Sequence, residues 1–190
     1  MKVLLCVILG HTFGCLQTSY ILVKRFMDTD VRSGGSGNAG TMNTFLNFNK
    51  TLGATVLFSD MLKTIIPCIL STIIFPNIDT DIVISYCSLG VILGHCFPFW
   101  LGFRGGKGVA VAAAFALTLD FRVFFVSVIV AGLFGLILRS ATYSSYTFAI
   151  MVFVCVAVFG YSSAVLLCVL IESLIIVLLH LRKSKIVSQA

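Results

Sequence analysis

Residues 109–138 read VAVAAAFALTLDFRVFFVSVIVAGLFGLIL, an apolar run broken only at Asp120 and Arg122, and the way this stretch divides decides the architecture. Its first part, residues 109–119, makes about 17 Å of helix, against a hydrocarbon core of about 30 Å. It is therefore either a short crossing or a re-entrant segment. Outward from it lie further apolar runs at residues 3–23, 52–75 and 82–101, and a last one at 146–181. That last run would be about 54 Å as one helix, so it predicts two spans. Gly160, Tyr161, Ser162 and Ser163 supply the turn between them.

Charge placement arbitrates the short segment. If it crosses, there are about seven transmembrane helices, and Lys24, Arg25, Arg32, Lys50, Arg104, Lys107, Arg139, Arg182, Lys183 and Lys185 share the inner face, with only Lys2 and Arg122 outside. If it is re-entrant, Arg139 and the basic tail move outside, against the positive-inside rule. The pattern predicts an all-α, polytopic integral membrane protein with its N-terminus outside and C-terminus cytoplasmic, residues 1–190 forming one domain. The first run has only Lys2 before it, no small-x-small cleavage site after it, and Lys24 and Arg25 beyond, which predicts a retained span and not a signal peptide.

Composition agrees. Of 190 residues, 59% are apolar and 11% charged, with a mean hydropathy of +1.10, which leaves too little polar surface to cover a water-soluble globule. The seven cysteines form no CxxC pair and no metal-ligand spacing, so they read as small apolar residues. No internal repeat is visible.

The polar residues concentrate in the inward loops. The first, DVRSGGSGNAGTMN over residues 30–43, carries four glycines between Gly34 and Gly40. Such glycines let successive N–H groups face one concavity that suits a phosphate, with Ser36, Asn38 and Asn43 as further donors; the alternative is a flexible connector. The second, GHCFPFWLGFRGGKG over residues 94–108, places Gly105, Gly106 and Gly108 just before the next helix, where backbone amides and the helix dipole favour an anion. Arg104 can grip an oxyanion with two bonds and Lys107 with one charge; the Walker spacing is absent. Phe97, Phe99, Trp100 and Phe103 read as an interfacial belt. Asp60 and Lys63, three apart in one span, face the same way. They either neutralise each other or help shape the inner site, since each costs about 2.5–3.5 kcal/mol to insert. Glu172 poses the same question without an obvious partner, and His11 reads as a packed polar residue.

These loops resemble those of the bacterial acyl-phosphate-dependent glycerol-3-phosphate acyltransferases. Gly35-Ser-Gly-Asn-Ala-Gly-Thr-Met-Asn43 is similar to that family's GSGNxGxxN, Gly94-His-x-Phe-Pro98 through Phe103-Arg-Gly-Gly-Lys-Gly-Val109 to its second motif, and Asp60-x-x-Lys63 to its DxxKG, with Thr64 for the glycine. The resemblance implies transfer of an acyl group from acyl phosphate to glycerol 3-phosphate in a bacterial cytoplasmic membrane, at a cytoplasmic-side site. The implied partners are those two substrates and the bilayer, not nucleic acid, and no CoA, metal or other cofactor. It further implies that Ser36, Gly37 and Asn38 cradle one phosphate, with Gly35, Gly40 and Asn43 in the same loop. Arg104, Gly105, Gly106, Lys107 and Gly108 would hold the other, beside His95. Ser145 matches a serine of the family, His180 stands where its third motif has His, and the acceptor's own phosphate would take the hydroxyl proton. The chain departs from the pattern at Leu46, where the family has Arg, and at Lys183, where it has Asn; no acidic residue follows. Lys50 or Lys183 are candidates to replace the missing charge. The alternatives are a non-catalytic anion carrier or lipid-binding protein that kept the phosphate loops, and a transferase with another acceptor.

Overall fold

The computed structural model describes residues 1–187, with side chains described as far as Leu181. The described residues are helical with no strand: α1 Lys2–Gly14, α2 Thr18–Met27, α3 Thr41–Asn47, α4 Lys50–Ile74, α5 Thr80–Cys96, α6 Val109–Leu119, α7 Phe121–Ile137, α8 Ala141–Val158 and α9 Ser163–Val187. Five segments are long and apolar enough to cross a membrane, α1 with α2 counting as one; α6 and α7 are shorter apolar helices.

Contacts along the helices give their directions. On α4 and α5, Lys63 meets His95 while Cys68 meets the Ile84 carbonyl. The Ser144 hydroxyl donates to the Ala131 carbonyl, joining α8 to α7, and Tyr146 stacks edge-on against His180 of α9. At the opposite end the Tyr161 hydroxyl donates to Asp120. The Ser144 and Tyr146 contacts thus lie at one end of α7, α8 and α9, and the Tyr161–Asp120 contact at the other.

The tightest packing joins α1 to α5, which run parallel. A Cβ on Gly10 would strike the Cys87 carbonyl, on Gly14 that of Val91, on Gly90 that of Val7 and on Gly94 that of His11. Both helices carry glycines four residues apart, so one flat stripe faces the other and the backbones touch, a common way of joining helices where lipid supplies no hydrophobic drive.

The run at residues 3–23, expected as one span, is broken at Cys15–Gln17. A break within an apolar layer survives only if its freed carbonyls find donors. Gln17 Nε2 donates to Gly14 O at 3.3 Å, Trp100 Nε1 to Cys15 O at 2.8 Å and Lys63 Nζ to Leu16 O at 2.7 Å. Trp100 is therefore a cap for the break, while Phe99 and Phe103 beside it are exposed as a belt would be. The other interruption, at Asp120, is a helix boundary. Its carboxylate caps α7 through the Arg122 N–H at 2.8 Å and holds the Arg122 guanidinium at 2.6 Å. The seven cysteines are free and buried, as apolar residues would be. Glu172 is buried between α9 and α5, away from the inner loops, and His11 packs against Cys15.

Candidate active site

A cavity of about 590 Å³ lies where α3, α4, α5, α6, α7, α8 and α9 converge. It brings together Ser36, Asn38, Gly40 and Asn43 from the first loop, Asp60 and His95 from α4 and α5, Lys107 and Gly108 from the second loop, and Ser145 and His180. The two glycine-rich loops meet at its rim, where a Cβ on Gly40 would come 4.0 Å from Gly106 Cα.

The first loop is ordered, not a flexible connector, and Asn43 orders it. Its side-chain oxygen accepts from Ser36 N–H at 2.9 Å and from Asn47 Nδ2 at 3.0 Å, while its NH₂ donates to the carbonyls of Val31, Gly34 and Asn38. Gly35 and Gly37 take left-handed φ of 56° and 61°, which glycine adopts without steric cost. The expected cradle of amides is corrected here, because Ser36 N–H is spent on Asn43, Gly37 N–H on Gly34 O and Gly40 N–H on Asn38 O. Ser36 and Asn38 of this loop line the cavity.

The second loop needs the same correction. Gly105 N–H donates to Cys96 O at 3.1 Å and Gly106 N–H to His95 O at 3.0 Å, so these amides cap the end of α5. The amides left without a helical acceptor are those of the first turn of α6. Its first internal bond is Ala112 N–H to Gly108 O, which leaves the N–H groups of Val109, Ala110 and Val111 without a helical acceptor. Gly108, Val109 and Ala110 line the cavity, and Lys107 stands before them. Burial holds the Lys107 ammonium below the ordinary lysine range, a penalty that a bound anion relieves.

Arg104 and Gly37 face away, into a second cavity of about 660 Å³ that they share with Asp30 and Arg32. Arg32 is occupied there by Asp30, its Nη2 lying 2.7 Å from the carboxylate. The expected pairing of Arg104 with Lys107 on one phosphate is thus not found. Leu46 is exposed on α3, and neither it nor Lys50 lines the 590 Å³ cavity; the side chain of Lys183 lies outside the described residues.

Beneath the cavity floor Lys63 lies 2.8 Å from Asp60 Oδ1 and 2.9 Å from His95 Nδ1. A Cβ on Gly106 would collide with the His95 imidazole, so only glycine lets that ring reach the wall. Ser145 donates its hydroxyl to Ala141 O at 2.9 Å. His180 Nδ1 lies 2.8 Å from Ile176 O; a carbonyl can only accept, so Nδ1 carries the proton and Nε2 is bare.

The rest of the lining is apolar: Ala113 of α6, Val128, Ala131 and Gly132 of α7, and Phe148 of α8. These were not singled out beforehand, because in a chain so rich in alanine and valine nothing separates a cavity wall from a lipid-facing one. A polar, cationic mouth joined to an apolar slot fits a phosphorylated amphiphile.

The family model described as glycerol-3-phosphate acyltransferase matches residues 4–189. Glycerol-3-phosphate acyltransferase 1 of Lactobacillus acidophilus is 35% identical over 144 residues, 76% of this chain and 69% of that protein. The glycerol-3-phosphate acyltransferase of Streptococcus thermophilus is 32% identical over 188 residues, 95% of this chain and 87% of that protein. The crystal structure of PlsY (YgiH), an integral membrane glycerol 3-phosphate acyltransferase, in its glycerol 3-phosphate form superimposes with a TM-score of 0.88 at 28% identity, over 100% of this chain and 93% of that one. Its lysophosphatidic acid form gives 0.82 at 27% identity, with the same coverage.

Proposed function

The chain belongs to the glycerol-3-phosphate acyltransferase family and transfers an acyl group to glycerol 3-phosphate, and we propose that its donor is a fatty acyl phosphate and that the cavity of Lys107 is where the two substrates meet. The acceptor's 1-hydroxyl oxygen bonds to the acyl carbon, the bond from that carbon to the phosphate oxygen breaks, and lysophosphatidic acid and inorganic phosphate leave. Phosphate is a good leaving group, so the protein's task is to position the reactants and to neutralise charge.

One observation carries this reading: Asn38, Lys107 and the amino end of α6 line a single cavity whose far wall is apolar. Lys107 and the first turn of α6 hold the donor phosphate, and its chain lies along Ala113, Ala131 and Gly132. Ser36 and Asn38 hold the acceptor. The resemblance implied the acceptor's phosphate as destination of the hydroxyl proton; His180, which lines the cavity with Nδ1 held by Ile176 O, offers Nε2 for that proton instead and passes it on to the departing phosphate. The chain acts as one domain in a bacterial cytoplasmic membrane, crossing it seven times with its N-terminus outside and this cavity on the cytoplasmic side.

The test is direct. Purified protein should release phosphate from an acyl phosphate only when glycerol 3-phosphate is present, with lysophosphatidic acid detected by mass spectrometry. Lys107→Ala should lower kcat/KM by roughly a hundredfold or more. Phosphate release that ignores glycerol 3-phosphate would remove the acceptor from the scheme, and normal turnover in Lys107→Ala would remove the lysine.

A further inference from the structure

We propose that His95 serves this reaction as an obligate hydrogen-bond donor to a substrate oxyanion, its Nε2–H tautomer locked by Lys63, and that Asp60 and Lys63 are positioning residues acting through it. The inference rests on the acyl-transfer reading above and adds a role for a cluster that the reading leaves unused.

Proton counting begins at Lys63. Its ammonium has three protons and no lone pair, and it has three neighbours at bonding distance: Asp60 Oδ1 at 2.8 Å, Leu16 O at 2.7 Å and His95 Nδ1 at 2.9 Å. The Asp60 carboxylate and Leu16 O can only accept. The third proton therefore goes to His95 Nδ1, which must offer its lone pair. A neutral imidazole accepting at Nδ1 carries its own proton at Nε2.

That Nε2–H edge lies against Gly106 at the meeting of the two loops. Of the three ring atoms nearest a hypothetical Cβ on Gly106, Nε2 is the closest; the missing side chain is the space the N–H edge occupies. Gly106 stands against Gly40 where the two loops meet, and His95 lines the same cavity as Lys107. His180, on the other side, has its proton on Nδ1 and a bare Nε2. The two imidazoles of the cavity are thus held as opposites, one giving and one accepting. A fixed donor is the arrangement that stabilises negative charge as it develops on an acyl carbonyl, since it requires no reorientation at the moment of reaction.

Two substitutions separate the two ring nitrogens. In His95→Asn the amide oxygen takes the place of Nδ1 and still accepts from Lys63, but nothing reaches Nε2. In His95→Gln the longer amide carries an N–H to the Nε2 position. His95→Asn should lose roughly a hundredfold in kcat with KM little changed, and His95→Gln should recover most of that loss. Independently, ¹⁵N-histidine NMR of the wild-type protein in micelles should show His95 with a protonated Nε2 and a bare Nδ1. A ring protonated at Nδ1, or His95→Asn turning over as fast as His95→Gln, overturns the assignment. Should neither variant fold, the tautomer measured in the wild type decides. A wild-type protein with the expected tautomer that makes no lysophosphatidic acid would sink the reaction, not the lock.

Discussion

Asn43, Lys63 and Asp120 each use nearly every hydrogen-bonding atom they possess, and each holds backbone that would otherwise be stranded. Asn43 was legible as a residue of the phosphate loop, yet its amide is consumed by the loop itself. Residue type and spacing mark where polar groups gather but not which are already spent. Asp120, which the sequence shows only as an interruption of an apolar run, caps α7, binds Arg122 and accepts from Tyr161. The hydrogen bonds from Arg122 hold its carboxyl down at about 2, against about 3.9 for an unfolded aspartate. Because the folded value is depressed, the stabilisation is fully present above the unfolded pKa and is lost as pH falls towards 2. Asparagine keeps the cap without the charge. The thermal midpoint of the wild type should therefore drop more steeply between about pH 4 and pH 2 than that of Asp120→Asn; parallel curves would show that the pair contributes nothing.

At the scale of elements, hydropathy placed the helices well and their interruptions badly. The turn at Gly160 and the division at Asp120 were both legible, because each changes local polarity. The break at Cys15–Gln17 was not, since it depends on Lys63 and Trp100, which lie far along the chain and reach two of its three carbonyls only after folding. The contact of α1 with α5 was written in plain form, as glycines four apart at Gly10 and Gly14 and again at Gly90 and Gly94, but neither pair is informative until the other faces it. Gly94→Leu would drive its side chain into the His11 carbonyl, a clash with backbone that a rotamer change cannot relieve. It should cost about 1–3 kcal/mol or more, read as a lower thermal midpoint in detergent. Because Gly94 precedes His95, activity should fall as well. Gly132→Ala is the control, since a Cβ there meets nothing within 4 Å, and inside α7 it should leave the midpoint unchanged or raise it slightly, alanine being favoured over glycine there by about 0.5–1 kcal/mol.

Over the whole molecule, charge and chemistry separate along the bundle axis. Lys107, Arg104, Arg32 and the start of α4 at Lys50 lie at the end that holds the cavity, while Asp79, Asp120 and Tyr161 lie at the other. The same asymmetry serves two purposes. Under the positive-inside rule such a cationic end is the one kept in the cytoplasm, and in the function proposed above Lys107 at that end also holds phosphate, so one set of charges would serve both orientation and binding. Since water-soluble glycerol 3-phosphate must reach that end, orientation is a functional property and can be measured. The native cysteines are all buried, so a single new thiol should report cleanly. In intact cells a membrane-impermeant maleimide should label Ser162→Cys, beside the Asp120 end. It should label Arg139→Cys, beside the cavity, only after the membrane is opened. The reverse pattern would mean either that the whole bundle is turned over, with the phosphate site outside the cell and separated from its substrate, or that α6 does not cross, while labelling of both in intact cells would mean that α8 between them does not cross.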